Sequence, residues 1–273
     1  MKKNIVFAIV ALAAIVLAFL LYQVFKTPEE ASAPIAAIPV TVETAAPTAQ
    51  AAATEVPTVA PTAESMATEA PAAATEAPAA ATEAPPAATE APAASAPVIF
   101  EIQQDRSQAR FIINEVLRGT PTRVVGATDQ VAGQIAIDPA NPAAAQVGTI
   151  LVNARTLATD NDFRNRAIKN QILSTNTYEF VTFEPTQVTG LPASVAVGQA
   201  LTFQVVGNLT VRDVTKEVTF DVTATPISET EISGLASLTI PYRDLGLSIP
   251  DAPSVDTVED TVLLELEFVA VAQ

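Results

Sequence analysis

Carboxylates are the main side chains in this sequence that could carry acid–base chemistry. The chain of 273 residues contains no histidine and no cysteine, which excludes histidine triads, thiolate nucleophiles and the usual zinc ligands. Paired carboxylates can still act as general acid and base. The candidates are Asp160 with Asp162, Glu265 with Glu267, and the loop residues Asp251, Asp256, Glu259 and Asp260.

Each of these acidic groups also has an ordinary structural role. Asp160 and Asp162 flank the predicted start of a helix, where negative charge stabilises the helix dipole. Glu265 and Glu267 alternate along the wet face of a predicted strand. The loop acids do not have the spacing of an EF-hand, and no glycine-rich phosphate loop occurs. We therefore expect a protein that is not an enzyme, with no metal site and no cofactor.

An apolar run near the N-terminus predicts attachment to a membrane. Residues Ile5–Phe25 are uncharged and almost wholly apolar, which is long enough for a helix that crosses a bilayer. Lys2 and Lys3 precede this run, and Glu29 and Glu30 follow it closely. Because basic residues favour the cytoplasmic side, the N-terminus is predicted to lie in the cytoplasm. The net charge of −16 disfavours nucleic acid as a partner.

Residues 1–26 are thus predicted to be a single-pass signal anchor in the cell membrane. The C-terminal domain would lie outside the cytoplasm, in a periplasm or at a cell surface. The alternative is a cleaved secretory signal with an Ala-x-Ala site at Ala31–Ala33. Pro34 directly after that site, and the length of the apolar run, favour the uncleaved anchor.

Residues 27–97 are predicted to be a disordered linker rich in Ala, Pro, Thr and Glu. The unit Ala-Thr-Glu-Ala-Pro begins at Ala67, Ala74, Ala81 and Ala88. Although the period is seven, proline in every unit breaks a helix, so a coiled coil is excluded. Such a segment buries too little apolar surface to offset the entropy of ordering. We expect an acidic spacer between the membrane and a folded domain.

Residues 98–273 have the alternating pattern of β-strands. In Leu201–Val211, the apolar residues Leu201, Phe203 and Val205 share one face, and polar residues occupy the other. One dry and one wet face are typical of antiparallel sheet. The predicted strands are Ala109–Leu117, Val131–Asp138, Thr149–Arg155, Tyr178–Glu184, Leu201–Val211, Glu217–Thr225, Ile232–Tyr242 and Asp260–Val271, with a shorter candidate at Val98–Gln103.

One stretch, Asp160–Gln171, interrupts this pattern. Phe163 and Ala167 recur at helical spacing, and Thr159 or Asp160 could cap the first turn. We therefore predict one short helix between strands. Eight or nine antiparallel strands can form a closed barrel or a sandwich, and their length favours the barrel.

Several segments resemble the YceI-like family of exported lipid-binding β-barrels. The most specific is Gly207–Val218, which is similar to the family's Gly-x-Leu-Thr-Ile-x-Gly-Val-Thr-Lys-x-Val hairpin. Tyr178–Phe183 resembles its Tyr-Pro-x-Ile-Thr-Phe strand, and Tyr242–Gly246 resembles a stretch before its last strand. The opening Phe100–Ile102 also fits. The resemblance covers nearly all of residues 98–273.

The resemblance implies an all-β fold, an antiparallel eight-stranded lipocalin-like barrel with one short inserted helix. Such a barrel would hold a long isoprenoid or fatty-acyl lipid. Three departures stand out: Arg106 replaces a frequent histidine, Arg164–Ile168 lacks the family's helix histidine, and Asp213 replaces a turn glycine. Without those histidines, no head-group specificity carries over.

Inward apolar side chains are expected to line the cavity of this barrel. Alternation predicts which side chains point inward, but eight strands can enclose either a cavity or a solid core. The predicted ligand-binding residues are Phe111, Ile113, Ile135, Ile150, Val152, Phe180, Leu201, Phe203, Val205, Phe220, Val222, Leu238, Leu264, Leu266 and Phe268. Arg106, Tyr242 and Arg243 are candidate head-group contacts, with ion pairs to Asp105 and Asp244 as the alternative for the arginines.

The sequence therefore predicts a membrane-tethered, extracytoplasmic binding protein. It would sequester or carry a polyisoprenoid or acyl-chain lipid inside a β-barrel. The alternative is a structural or adhesive β-domain on a stalk, without a ligand cavity.

Overall fold

The computed structural model describes residues 12–19, 22, 26–32, 34–40 and 96–273. Residues 12–19 are helical, whereas 27–32 and 34–40 belong to no helix or strand. Most of the predicted span Ile5–Phe25, and the predicted linker from residue 41 to residue 95, fall outside the described residues. Among the residues that are described, no helix has the length and apolar character needed to cross a membrane.

An antiparallel sheet of thirteen strand segments dominates residues 96–273. The segments are β1 Val98–Ile102, β2 Gln108–Leu117, β3 Thr120–Thr128, β4 Val131–Ala132, β5 Gln134–Ile137, β6 Gln146–Val147, β7 Ile150–Asn153, β8 Phe180–Thr189, β9 Leu201–Val211, β10 Val214–Pro226, β11 Glu231–Pro241, β12 Val255–Val258 and β13 Thr261–Ala272. The predicted all-β antiparallel class is confirmed. Segment β3 was not predicted, because Pro121 and Gly126 interrupt its apolar alternation. The short segments β6 and β12 were not predicted either.

The sheet curls so that the strand pairing that begins at β4 returns, through β13 and β1, to the adjoining segment β5. Strands β8 to β11 pair in sequence, and β11 pairs with β13. One part of β13 pairs with β2 and the other with β1. In turn, β1 pairs with β5. The preceding segment β4 pairs with β7, which pairs with β8. The curled sheet therefore encloses an interior.

Two apolar clusters follow each other along the strands inside the curled sheet. The first contains Val205 of β9, Val222 of β10 and Phe268 of β13. The second contains Leu209 of β9 and Val218 of β10, among others. Because the same strands supply both clusters, each cluster occupies one end of the interior.

Arg212 and Asp213 form the tip of a hairpin. These two residues connect β9 to β10, whose pairing begins at Val211 and Val214. Arg212 has φ of 58°, a left-handed conformation that such tight turns require.

One short α-helix, Asp162–Ala167, continues as a π-helical turn, Ile168–Ile172. Its cap is Asn161, whose side chain accepts a hydrogen bond from the Arg164 amide at 3.0 Å. The predicted caps are therefore wrong, because the Thr159 amide and hydroxyl instead bind the Asn165 side chain. Short 3-10 turns lie at Gln104–Arg106, Pro142–Ala144, Ala154–Thr156 and Tyr242–Leu245.

Candidate ligand cavity

An apolar cavity of about 800 Å³ occupies the part of the interior surrounded by the first cluster. Ligand sites typically measure about 300–1,000 Å³. The wall consists of side chains from β1, β2, β5–β11 and β13. Nearly all of these side chains are aliphatic or phenyl groups.

The structure places twelve of the fifteen residues predicted for the barrel interior on this wall. Their inward positions follow from alternation along strands with one apolar face. They are Phe111, Ile135, Ile150, Val152, Leu201, Phe203, Val205, Phe220, Val222, Leu264, Leu266 and Phe268.

The other three predicted residues lie elsewhere. Phe180 is 36% exposed, because Val181 and Phe183 occupy the inward positions of β8. The prediction that Phe180 faces the interior is therefore wrong. Ile113 and Leu238 do face inward, but they belong to the second apolar cluster rather than to the cavity wall.

The cavity opens at one end of the barrel, hereafter the open end. Three loops surround the opening, and none of them was predicted to belong to the site. Their lining residues are Pro139, Pro142, Ala145, Leu191, Val195, Val197, Pro226, Ser228, Glu229 and Thr230. A hydrogen bond of 2.7 Å from the Gly198 amide to the Pro226 carbonyl joins two of these loops. The sequence signal that could have identified these loops is the set of apolar residues in the loop after β8, namely Leu191, Val195 and Val197.

The opposite end, hereafter the closed end, is filled by the second cluster. Tyr242 and Leu245 are 6% and 2% exposed and pack there with Val211 and Ile240. Phe183 and Phe220 contact both clusters, and their rings meet edge to face with centroids 5.0 Å apart. Aromatic contacts of this geometry are favourable. The two rings form the boundary between the cavity and the packed end.

Glycines allow three phenyl rings to lie close to the backbone of the wall. A Cβ on Gly126 would lie 2.1 Å from the Phe111 ring, and one on Gly207 would lie 2.8 Å from the Phe183 ring. Any larger residue at Gly126 would therefore push the Phe111 ring into the lumen. The three such pairs are Phe111 over Gly126, Phe183 over Gly207 and Phe268 over Gly234.

The predicted head-group contacts lie away from the cavity wall. Arg106 donates through two guanidinium nitrogens to the Glu231 carboxylate, each at 2.8 Å, and these bonds lower the pKa of Glu231. Arg243 pairs with Asp260 and stacks 5.0 Å from the Tyr242 ring. Tyr242 itself is buried at the closed end. The arginines therefore form ion pairs, though with other partners than the sequence suggested.

Most of the acidic side chains considered for catalysis make structural contacts. Asp256 accepts a hydrogen bond from the Gly119 amide at 2.6 Å, and Glu259 accepts one from the Asn114 amide group at 2.7 Å. The other pairs are Asp160 with Arg164 and Glu265 with Arg110. Within the described part of the chain, no three acidic side chains converge as a metal site. The apolar cavity is the feature that indicates function.

Comparison with known structures agrees with this architecture. A polyisoprenoid-binding domain from Saccharophagus degradans, implicated in plant cell wall breakdown, is 17% identical, with a TM-score of 0.51. The match covers 64% of this chain and 98% of that domain. BcnA from Burkholderia cenocepacia is 20% identical over 62% of this chain and 99% of its own, with a TM-score of 0.50. These likenesses concern the fold alone.

The family assignment comes from the sequence. No match was found among curated proteins. The family model described as the YceI-like domain matches residues 100–270, which include all or most of every strand of the cavity wall. This chain belongs to the YceI-like family.

Proposed function

We propose that this protein carries or sequesters one long apolar lipid, a polyisoprenoid or an acyl chain, inside its barrel. The observation that carries the proposal is the cavity of about 800 Å³ with an almost entirely hydrocarbon wall. Burying each methylene contributes about 0.8 kcal/mol, so a long chain would bind without polar contacts. The polyisoprenoid-binding domain of S. degradans supports this ligand class.

Polar groups along the wall are consistent with an apolar ligand. The charged lining residues Arg110 and Glu265 pair with each other at 3.2 Å, so neither needs a ligand as partner. Ser228, Glu229 and Thr230 lie at the open end. A polar lipid terminus would meet these residues while its chain extends toward Phe183 and Phe220.

We also propose that the thirteen segments form the eight strands of a lipocalin-like barrel. Segments β1 and β2 pair with successive parts of β13, which supports counting them as one interrupted strand. By the same argument, β3 and β5 pair with successive parts of the β1–β2 strand, and only short gaps separate β3, β4 and β5. Segments β6 and β7 pair with β5 and β4, and β12 and β13 both pair with β2. Counting β1–β2, β3–β5, β6–β7 and β12–β13 as one strand each leaves eight strands.

Membrane tethering completes the proposal. Ile5–Phe25 would anchor the chain, with the barrel outside the cytoplasm. The length of this uncharged run and the lysines before it support that orientation.

Titration with long-chain probes tests the binding function. A long-chain isoprenoid quinone and a long-chain fatty acid would be added separately to the chain from Lys26 onward. We expect saturable binding with one ligand per chain, and competition between the probes. Failure of both probes to bind would favour a structural or adhesive β-domain.

A further inference from the structure

Residues 26–32 and 34–40, hereafter the strap, contact the barrel along their length. The Asn170 side chain donates to the Lys26 carbonyl at 2.7 Å. Farther along, Gln104 donates to the Ile35 carbonyl, also at 2.7 Å. The Val40 amide then donates to Gln134 at 3.1 Å. Composition alone predicts a spacer here, but the barrel supplies side-chain partners for this backbone.

An ion pair anchors the middle of the strap. Arg155, with a side chain 13% exposed, lies 3.2 Å from the Glu29 carboxylate and 3.1 Å from that of Glu179. It also donates to the Glu30 carbonyl at 3.2 Å. Glu179 in turn accepts hydrogen bonds from the amide and hydroxyl of Ser32. The strap therefore contributes partners to both members of a largely buried ion pair.

The strap also buries an apolar side chain. Ile35 is 8% exposed, whereas Ile38 on the same segment is 47% exposed. At the end of the strap, the Val40 Cβ lies 3.4 Å from the position that a Cβ on Gly148 would occupy. These contacts orient one side of the strap toward the barrel.

The strap runs from the closed end toward the open end. Asn170 lies in the π-helical turn, where the Ile172 carbonyl accepts a hydrogen bond from Arg212 at the β9–β10 tip. That tip adjoins the closed-end cluster. At the other end of the strap, Gln134 begins β5, and Ile137, which ends β5, lines the cavity.

Hydrogen bonds also fix the position where the chain enters the strap and the position where it returns to the barrel. The Lys26 amide donates to the Tyr22 carbonyl at 2.8 Å, so helical hydrogen bonding reaches the residue that Asn170 holds. The chain leaves the strap beside Gln134 and returns at Val98, which pairs with Ile137. Those two positions on β5 are about 10 Å apart, since a strand rises about 3.3 Å per residue.

We infer that the strap fixes the closed end of the barrel next to the membrane anchor, so that the cavity opens away from that membrane. Ligand would be exchanged with an acceptor facing the open end. This inference rests on the proposed anchoring, but not on the identity of the ligand.

Disulfide trapping tests the docking of the strap. The chain has no cysteine, so the full-length variant Val40→Cys/Gly148→Cys contains a single possible disulfide. The 3.4 Å spacing is close to the Cβ separation of about 3.5–4.5 Å in disulfides. We expect rapid intramolecular cross-linking. The control Val40→Cys/Thr219→Cys, with Thr219 on the exposed face of β10, should not cross-link.

A matched pair of strap substitutions sharpens the test. Added to Val40→Cys/Gly148→Cys, Ile35→Asp should slow cross-linking about tenfold, because an unpaired carboxylate is costly to bury. Ile38→Asp should leave the rate unchanged, since this side chain already faces solvent. If the Gly148 pair cross-links no faster than the Thr219 control, the strap is not docked and the inference is overturned.

Fluorescence quenching in phosphatidylcholine vesicles tests the direction of the opening. A fluorophore would be attached to Val197→Cys at the open end or to Asp213→Cys at the closed end of the full chain. Lipids carrying a quencher on the head group should quench the Asp213 label more strongly. Equal or stronger quenching at Val197 would overturn the inference.

Flotation of the same vesicles separates the two proposals. If the protein does not float with the vesicles, the anchoring and this inference both fail. Lipid binding inside the cavity is measured independently by the probe titration.

Discussion

At the scale of residues, the cavity exists because large side chains lie against its wall. Phe111 covers Gly126 and Phe183 covers Gly207, so both rings occupy space that a neighbouring side chain would otherwise fill. Packed interiors leave few voids larger than a water molecule. A void of about 800 Å³ is therefore a feature that the sequence maintains. The residues that line it should tolerate substitution by larger side chains better than residues of the packed core do.

Filling the lumen should weaken binding without unfolding the barrel. Val222 points into the cavity, and Thr223 next to it is exposed. Val222→Trp should lower the affinity for a long-chain probe about tenfold, the loss expected from displacing about two methylenes. Thr223→Trp should leave affinity unchanged. A solid core would instead give Val222→Trp a large drop in melting temperature, which thermal unfolding would detect.

Truncation at the closed end should have the opposite effect. Leu245 is 2% exposed in the second cluster, and Leu245→Ala should lower the free energy of unfolding by about 3 kcal/mol. Probe affinity, measured well below the melting temperature, should not change. Urea denaturation gives the stability. A loss of affinity with unchanged stability would instead place Leu245 in the ligand site.

Alternation predicts the interior residues well where only one face of a strand is apolar. Leu201, Phe203 and Val205 are of this kind, and all three line the cavity. The prediction failed at Phe180 because β8 carries apolar residues on both faces, so alternation alone does not choose between them. The partners of Arg106 and Arg243 were also missed, because ion pairs depend on how strands are brought together.

At the scale of elements, the docking of the strap on the barrel is a feature that amino-acid composition does not predict. Its Ala- and Pro-rich sequence predicts a spacer, and Ile35 gives little local signal of burial. The contacts that hold it come from Arg155 and Glu179, more than a hundred positions along the chain. No periodicity within the strap encodes those partners.

Docking of the strap should weaken at acid pH. Burial alone would raise the pKa of Glu179, but hydrogen bonds from Ser32 and Asn153 and the charge of Arg155 outweigh it and hold the pKa below 4.5. Because docking lowers the pKa of Glu179, the ionised carboxylate stabilises docking at pH values above the ordinary glutamate pKa. This stabilisation is lost as the pH falls through the lowered pKa.

Amide hydrogen exchange of Ser32 measures this directly, because its N–H donates to Glu179 at 2.7 Å. We expect protection near neutral pH that disappears below the lowered pKa, after correction for intrinsic rates. The Val205 amide in β9 should remain protected throughout. Unchanged Ser32 protection in acid would show that the carboxylate does not hold the strap.

At the scale of the whole molecule, the proposed anchor leads directly into the strap, which the barrel holds from Asn170 to Gln134. The possible cleavage site at Ala31–Ala33 lies inside the strap, so cleavage there would remove the partners of Asn170 and Arg155. We expect the mature protein to keep Ile5–Phe25. Intact mass analysis of the membrane fraction checks this, and a soluble protein beginning at Pro34 would contradict it.

The most direct test of the lipid-binding account is to identify what the barrel holds when it is isolated. The chain from Lys26 onward would be purified without detergent from its natural host, extracted with organic solvent, and the extract analysed by mass spectrometry. The account predicts about one long-chain isoprenoid or acyl lipid per chain. It also predicts normal recovery from Thr223→Trp and lower recovery from Val222→Trp. Absence of lipid from all three proteins, together with failure of the long-chain probes to bind, would contradict it.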